Sequence, residues 1–167
     1  HAFDPLPDVA DWIARRALPA NFTFHRWAAV GRDGELPVFR GSRDCHDVYR
    51  RASTPGSEHP TEKTLAYSLR TVMKKLRHEH VDVLKISIGA VELTILDELV
   101  RTDVRPGQLL LDFRDRNCAR EGSAIAVTIR RLRAIGYRIF SVSDSGRGIS
   151  MLLSSASLNA TTKSLAD

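Results

Sequence analysis

The chain has few cysteines, few aromatic residues and no long apolar run. Its two cysteines, Cys45 and Cys118, lie too far apart for a CxxC motif and are too few for a disulfide framework. Aromatic residues make up only 7% of the sequence. The longest apolar runs, such as residues 109–111, are far too short to cross a bilayer. These absences exclude a disulfide-stapled scaffold and a transmembrane helix within this sequence.

A concentrated basic region is also missing. The chain has 25 basic and 20 acidic residues, a net charge of +5. The first 80 residues carry 13 basic and 10 acidic side chains, and the rest carry 12 and 10. Nucleic-acid binders concentrate their positive charge in a patch or arm. A lesser alternative is binding through residues 70–77 with Arg130, Arg131 and Arg133, but that region lacks interleaved aromatic residues. We therefore do not expect a nucleic-acid partner.

What remains is the composition of an ordinary globular domain. Hydrophobic residues are 43% and charged residues 27% of 167. This length suits one domain, which we expect to span residues 1–154. Residues 155–167 are rich in Ser, Ala and Thr and are expected to form a flexible tail.

Strand and helix patterns alternate along the second half of the chain. Residues 81–88 and 108–113 are apolar on both faces, as in strands covered by helices. Residues 91–100 and 123–135 have helical periodicity, and so does the stripe Leu65, Leu69, Val72, Met73 and Leu76. Strands are predicted at 137–142 and 149–153, joined by a turn. This order predicts an α/β fold with a mostly parallel sheet and an antiparallel strand at its C-terminal edge.

In open α/β sheets, ligands bind beyond the carboxyl ends of the strands. These ends hold Asp4, residues 85–92, Asp112 and residues 143–144. Asp4 ends the first predicted strand, where a carboxylate can accept hydrogen bonds from both hydroxyls of a ribose. An alternative is that Asp4 only turns the chain before Pro5.

Other catalytic motifs are missing. The histidines and cysteines fit no zinc-binding spacing, so no metal site is predicted. Ser87 is not in a Gly-x-Ser-x-Gly elbow, which argues against a hydrolase nucleophile. Lys85 is either a functional group or a strand-end lysine paired with Glu92.

Four stretches resemble the FkbM-like family of S-adenosylmethionine-dependent methyltransferases. The first is Phe3-Asp4-Pro5 with Pro7, Trp12, Leu18-Pro19 and Asn21-Phe22, and the second is the hairpin at Asp33-Gly34. The third is Val81-Asp82-Val83-Leu84-Lys85-Ile86, and the fourth is Gln108 to Phe113 followed by Gly136 to Phe140. The third is similar to the family's strongest motif, Ile-Asp-Val-Leu-Lys-Ile-Asp-Ile-Glu-Gly-Ala-Glu. The resemblance implies a Rossmann-like methyltransferase sheet.

The chain departs from that motif at its acidic positions. Aligned on Lys85, the family's Asp falls on Ser87, its Glu on Gly89, its Gly on Ala90 and its Ala on Val91. From Lys85 onward, only Lys85 and Glu92 keep the family's polar residues. After Asp112-Phe113, where the family tends to have histidines, the chain has Arg114-Asp115-Arg116, and an arginine does not titrate near neutral pH.

The glycine-rich turn that holds the cofactor in such enzymes is also missing. In the family it follows the first strand, which we expect upstream of His1. The resemblance puts that strand mid-sheet, between the strand ending at Phe3 and the strand beginning at Val81. The predicted sheet therefore lacks its first strand.

The resemblance implies O-methyl transfer from S-adenosylmethionine to a small molecule or carbohydrate. Asp4 would hold the cofactor ribose, and Lys85 and Glu92 would lie at the floor of the substrate side. The alternative is a non-catalytic descendant that keeps the fold as a binding or assembly module. The degenerate motif and the missing glycine-rich turn favour that alternative, and the net charge would suit an anionic acceptor.

Overall fold

A computed structural model describes residues 1–38, 62–88, 92–113 and 119–154. The motif positions 89–91, the segment Arg114-Asp115-Arg116 and the predicted tail lie outside these residues. The described elements are, in chain order, β1 (Ala2–Phe3), α1 (Pro7–Ala14), β2 (Phe24–His25), β3 (Ala28–Ala29), β4 (Gly34–Val38), β5 (Glu62–Tyr67), α2 (Leu69–Leu76), β6 (Val83–Ile86), α3 (Glu92–Arg101), β7 (Gln108–Asp112), α4 (Ala119–Ala134), β8 (Tyr137–Val142) and β9 (Gly148–Leu153). The chain is α/β, as predicted.

The second half of the chain forms a four-stranded mixed sheet in the order β6-β7-β9-β8. β6 and β7 pair in parallel, and β9 pairs antiparallel with both β7 and β8. Three of the four strands therefore point the same way, so this sheet is mostly parallel, as predicted. The C-terminal hairpin lies at the sheet edge as expected, but the prediction that its antiparallel strand forms the edge is wrong. β9 lies inside the sheet because it pairs on both sides, and β8 is the outer strand.

The strands of the first half form two smaller sheets. β1 pairs with β2 in parallel. β5 pairs in parallel with β3 and antiparallel with β4, giving the order β3-β5-β4. Gly34 begins β4 with a φ of 157°. Among the described residues, neither β1 nor β6 pairs with a strand on its second edge.

The residues before α2 form a strand where the apolar stripe predicted helix. Leu65 lies in β5 and is 48% exposed, whereas Thr64 and Ala66 on either side are buried. The strand alternation of residues 62–67 thus overrides the helical spacing of Leu65, and α2 begins four residues later. Ser68 caps α2, because its hydroxyl accepts a hydrogen bond from the N–H of Thr71 at 3.3 Å.

The main hydrophobic core lies between the four-stranded sheet and helices α3 and α4. Its most buried members are fully enclosed: Leu96, Leu99, Leu109, Leu132 and Met151. Tyr137 is 1% exposed and donates its hydroxyl proton to the carbonyl of Pro106 at 2.7 Å. A smaller cluster of Leu6, Ala28, Val30, Leu36, Val38 and Ala66 holds the first half together. Ile88 packs against both clusters and so joins the two halves.

Candidate ligand-binding site

A cavity of about 360 Å³ lies between the two halves of the chain. Residues 1–3 at β1 and residues 84–88, in and just after β6, line it, together with residues of β3, α2 and α3. Its walls are mainly apolar, with Phe3, Val30 and Ile95 among the lining residues. Its volume lies within the range of about 300–1,000 Å³ typical of small-molecule sites. The cavity therefore has the size and lining of a ligand pocket.

Asp4 follows β1 directly, between the lining residues Phe3 and Pro5. Its Oδ1 accepts a hydrogen bond from the N–H of Leu6 at 2.9 Å. This bond across two residues is an Asx turn, which leads the chain into α1 with Pro7 in its first turn. The turning role that the sequence offered as an alternative is therefore present, and it sets Asp4 beside the cavity.

Lys85 and Glu92 have different surroundings. Lys85 is exposed in β6 and lines the cavity. Glu92 is the first residue of α3, is 2% exposed, and is not among the described cavity-lining residues. Lys85 forms no ion pair with any described residue, so the alternative of a Lys85–Glu92 pair is wrong. The structure brings Lys85 to the cavity and buries Glu92 in the start of a helix.

A pair that the sequence did not connect lies at the carboxyl ends of β6 and β7. The hydroxyl of Ser87 donates a hydrogen bond to Oδ2 of Asp112 at 3.1 Å. Ser87 lines the cavity, and it stands where the family motif that the chain resembles has an aspartate. Because β6 and β7 pair in parallel, their ends meet, and Asp112 brings a carboxylate to this position from the neighbouring strand. Only the strand pairing reveals this, since 25 residues separate the two side chains.

A row of aromatic rings leads away from the cavity along β1, β2 and β5. Phe3 stacks on His25 with ring centroids 5.0 Å apart, His25 lies 4.6 Å from Trp27, and Trp27 meets Tyr67 edge-on at 5.2 Å. The ammonium group of Lys75 lies 4.5 Å from the centre of the Tyr67 ring. Burial lowers the pKa of His25. The sequence analysis did not predict this row, because it joins residues of strands that pair only in the folded chain.

Two carboxylates anchor α2, a role that the sequence analysis did not predict for either of them. Glu98, in α3, is 4% exposed. Its two oxygens accept hydrogen bonds from the N–H groups of Leu69 and Arg70, each at 2.9 Å. Asp33 accepts from the N–H of Ser68 and from the hydroxyl of Thr71, both at 2.7 Å. These bonds satisfy the free N–H groups at the start of α2, which holds Leu69 and Val72 against the cavity.

The described residues contain neither a candidate metal site nor a candidate membrane-spanning helix. No three or more His, Cys, Asp or Glu side chains among them are grouped so that they could hold a metal ion. No helix among them is both long enough and apolar enough to pass through a membrane.

Comparison of the chain with family models, with curated proteins and with solved structures found no match. The methyltransferase resemblance therefore rests on the motifs given above and stays a prediction.

Proposed function

We propose that the chain is a ligand-binding domain of an S-adenosylmethionine-dependent methyltransferase, transferring a methyl group to an oxygen of a small molecule or carbohydrate. The observation that carries this proposal is the apolar cavity between β1 and β6, with polar groups at its strand ends. The cavity reaches Pro5, Ser87 and Ile88 at the carboxyl ends of β1 and β6, the side of a sheet on which α/β folds bind nucleotides. This position supports a Rossmann-like arrangement.

The residues around the cavity fit this cofactor in two respects. The apolar walls from β3, α2 and β6 suit an adenine ring and keep water from the reacting atoms. Asp4 lies beside those walls, and its carboxylate is an acceptor suited to the two ribose hydroxyls. Its bond to Leu6 fixes the direction of that carboxylate.

When bound, S-adenosylmethionine would supply an electrophilic methyl group, and the chain's own residues would orient the acceptor. We assign the proton of the acceptor hydroxyl to Asp112, directly or through Ser87, because the Ser87 hydroxyl already donates to that carboxylate. Lys85 is exposed at the cavity wall and would attract an anionic acceptor. Much of the rate enhancement in such an in-line displacement comes from positioning.

The cofactor assignment is tested by calorimetric titration with S-adenosylmethionine. Asp4→Ala should weaken binding by about 1–3 kcal/mol, as expected when a hydrogen bond to a charged group is lost. Asp8→Ala, which removes an exposed carboxylate from α1, should leave the affinity unchanged. Absence of binding to the full-length protein at millimolar cofactor would contradict the proposal.

The second candidate function is a non-catalytic binding module with the same fold. Burial of Glu92 and replacement of the motif aspartate by Ser87 favour it. Asp112→Asn separates the two candidates when methyl transfer is measured with a panel of hydroxylated acceptors. An enzyme should lose most of its methyl transfer in this variant while cofactor binding persists. Cofactor binding without any transfer by the unaltered chain would favour the module.

A further inference from the structure

The outer strand of the four-stranded sheet has an unpaired edge. β8 pairs with β9 on one side, and no described strand pairs with its other side. Tyr137 is buried, but the other five residues of β8 are all exposed. An exposed edge presents a row of free N–H and C=O groups to any extended chain that can reach it.

Apolar side chains are concentrated on this strand. Ile139 is 41%, Phe140 57% and Val142 53% exposed. The pairing with β9 skips from Ile139 to Ser141, so Phe140 lies in a bulge without a partner on β9. A bulge can protect an edge by twisting it away or by presenting a charge. Here it presents a phenylalanine, which favours association instead.

The strand has opposite charges near its two ends. Arg138 is the second residue of β8, and Asp144 lies two residues after its end. Both side chains are exposed. Neither makes an ion pair with another described residue. The fold therefore leaves one cation and one anion unpaired on either side of the exposed apolar residues.

From these observations we infer that β8 pairs antiparallel with β8 of a second copy of the chain and forms a symmetric dimer. In the register that sets Ser141 opposite its own counterpart, Arg138 faces Asp144 of the partner subunit at both ends. Phe140 then faces Val142 of the partner subunit, also twice. Aromatic residues opposite β-branched residues and opposite charges are the favourable cross-strand pairs of antiparallel sheets.

A second copy suits this edge better than an unrelated strand because the edge is complementary to itself. A two-fold axis through Ser141 satisfies both charges and both apolar pairs with one sequence, as an isologous interface requires. The resulting dimer would continue the sheet across the axis to eight strands. The contact area is small, so the dimer should dissociate on dilution.

Sedimentation velocity of the chain tests the dimer, over roughly 5 to 500 µM because interfaces below about 1,200 Å² support only weak complexes. The sedimentation coefficient should rise with concentration toward that of a dimer. Phe140→Lys should remove this rise by taking away the central apolar contact and adding like charges near the axis. Arg15→Asp, at the exposed residue that follows α1, is the matched control and should associate like the unaltered chain.

Charge reversal tests the register and does not depend on the apolar substitution. Arg138→Asp should raise the dissociation constant by roughly tenfold, because it places like charges opposite each other at both ends. Adding Asp144→Arg should restore it to within about threefold of the original value, since both pairs become attractive again. A chain that stays monomeric throughout, or a dimer that Phe140→Lys and Arg138→Asp leave unchanged, would overturn the inference.

Discussion

Glu98 is one of the single residues that hold α2 in place. It is a carboxylate buried in α3, and buried charges are costly unless they are hydrogen-bonded. Its partners are the N–H groups of Leu69 and Arg70, which would otherwise lack an acceptor at the start of α2. The positive end of the helix dipole also favours a carboxylate here.

We expect Glu98→Ala to lower the free energy of unfolding by about 3 kcal/mol, because two charge-assisted hydrogen bonds are lost and one buried and one partly buried N–H group lose their acceptor. The stability of Glu98→Gln should lie between that of the unaltered chain and that of Glu98→Ala, since the amide retains one acceptor oxygen. Urea unfolding measures the difference. Glu35→Ala is the control because Glu35 forms an exposed ion pair with Lys63, and such pairs contribute little. Equal losses in the alanine variants of Glu98 and Glu35 would contradict this account.

At the same scale, Asp4 illustrates what a sequence can and cannot tell about one residue. The dipeptide Asp4-Pro5 is a turn signal by itself, and the structure contains that turn. Whether the carboxylate also meets a ligand depends on its neighbours in space, and the cavity is built largely by residues more than 20 positions away.

Among the elements, α2 has a well-capped N-terminus and a C-terminus with backbone strain. Ser68 and the two carboxylates satisfy its N-terminus, but Arg77 closes the helix with φ 57° and ψ 41°. This left-handed conformation favours glycine, because the Cβ of other residues approaches the following carbonyl oxygen. The N–H of His78 completes the cap by donating to the carbonyl of Met73 at 2.9 Å.

Arg77→Gly should raise the free energy of unfolding by about 0.5–1 kcal/mol, because glycine removes the left-handed strain at some cost in unfolded-chain entropy. Thermal unfolding followed by circular dichroism measures it. Arg77→Ala removes the same charge but keeps a Cβ, and it should give no gain. A gain of similar size with alanine would show that the charge of Arg77 is the cause, and not the backbone.

The element β5 shows why the sequence analysis extended the following helix too far. Leu65 fits the helical spacing of Leu69, Val72 and Leu76. Local periodicity does not show whether a segment pairs with a distant strand. The pairing of Glu62–Tyr67 with β3 and β4 decides the strand, and β4 lies nearly thirty residues earlier in the chain. Leu65 is exposed as a result.

For the whole molecule, Asp33 makes the free energy of unfolding depend on pH. The N–H of Ser68 is the main cause that lowers the pKa of Asp33, and the hydroxyl of Thr71 lowers it further. A lowered folded-state pKa means that the unfolded chain binds a proton first as the pH falls. The stability from Asp33 is therefore complete above its unfolded pKa of about 4 and is lost as the pH falls through the folded value.

We expect Asp33→Asn to be less stable than the unaltered chain at pH 7, and the difference to shrink as the pH falls below about 4. Urea unfolding at a series of pH values measures both. Asp11→Asn, at an exposed position of α1, should follow the unaltered chain at every pH. A constant difference between the Asp33 variant and the unaltered chain would mean that the contribution of Asp33 is not electrostatic.

The sequence by itself determined the α/β class and the positions of β6, β7, β8 and β9, because alternation and apolar runs are properties of contiguous residues. The sequence also predicted that Asp4, Lys85 and Asp112 lie in or just after strands. Only the tertiary structure decided that β9 lies between β7 and β8, that Ser87 meets Asp112, and that Glu98 caps α2. These contacts join residues many positions apart, and their energies depend on packing and on unsatisfied backbone groups that no local pattern records.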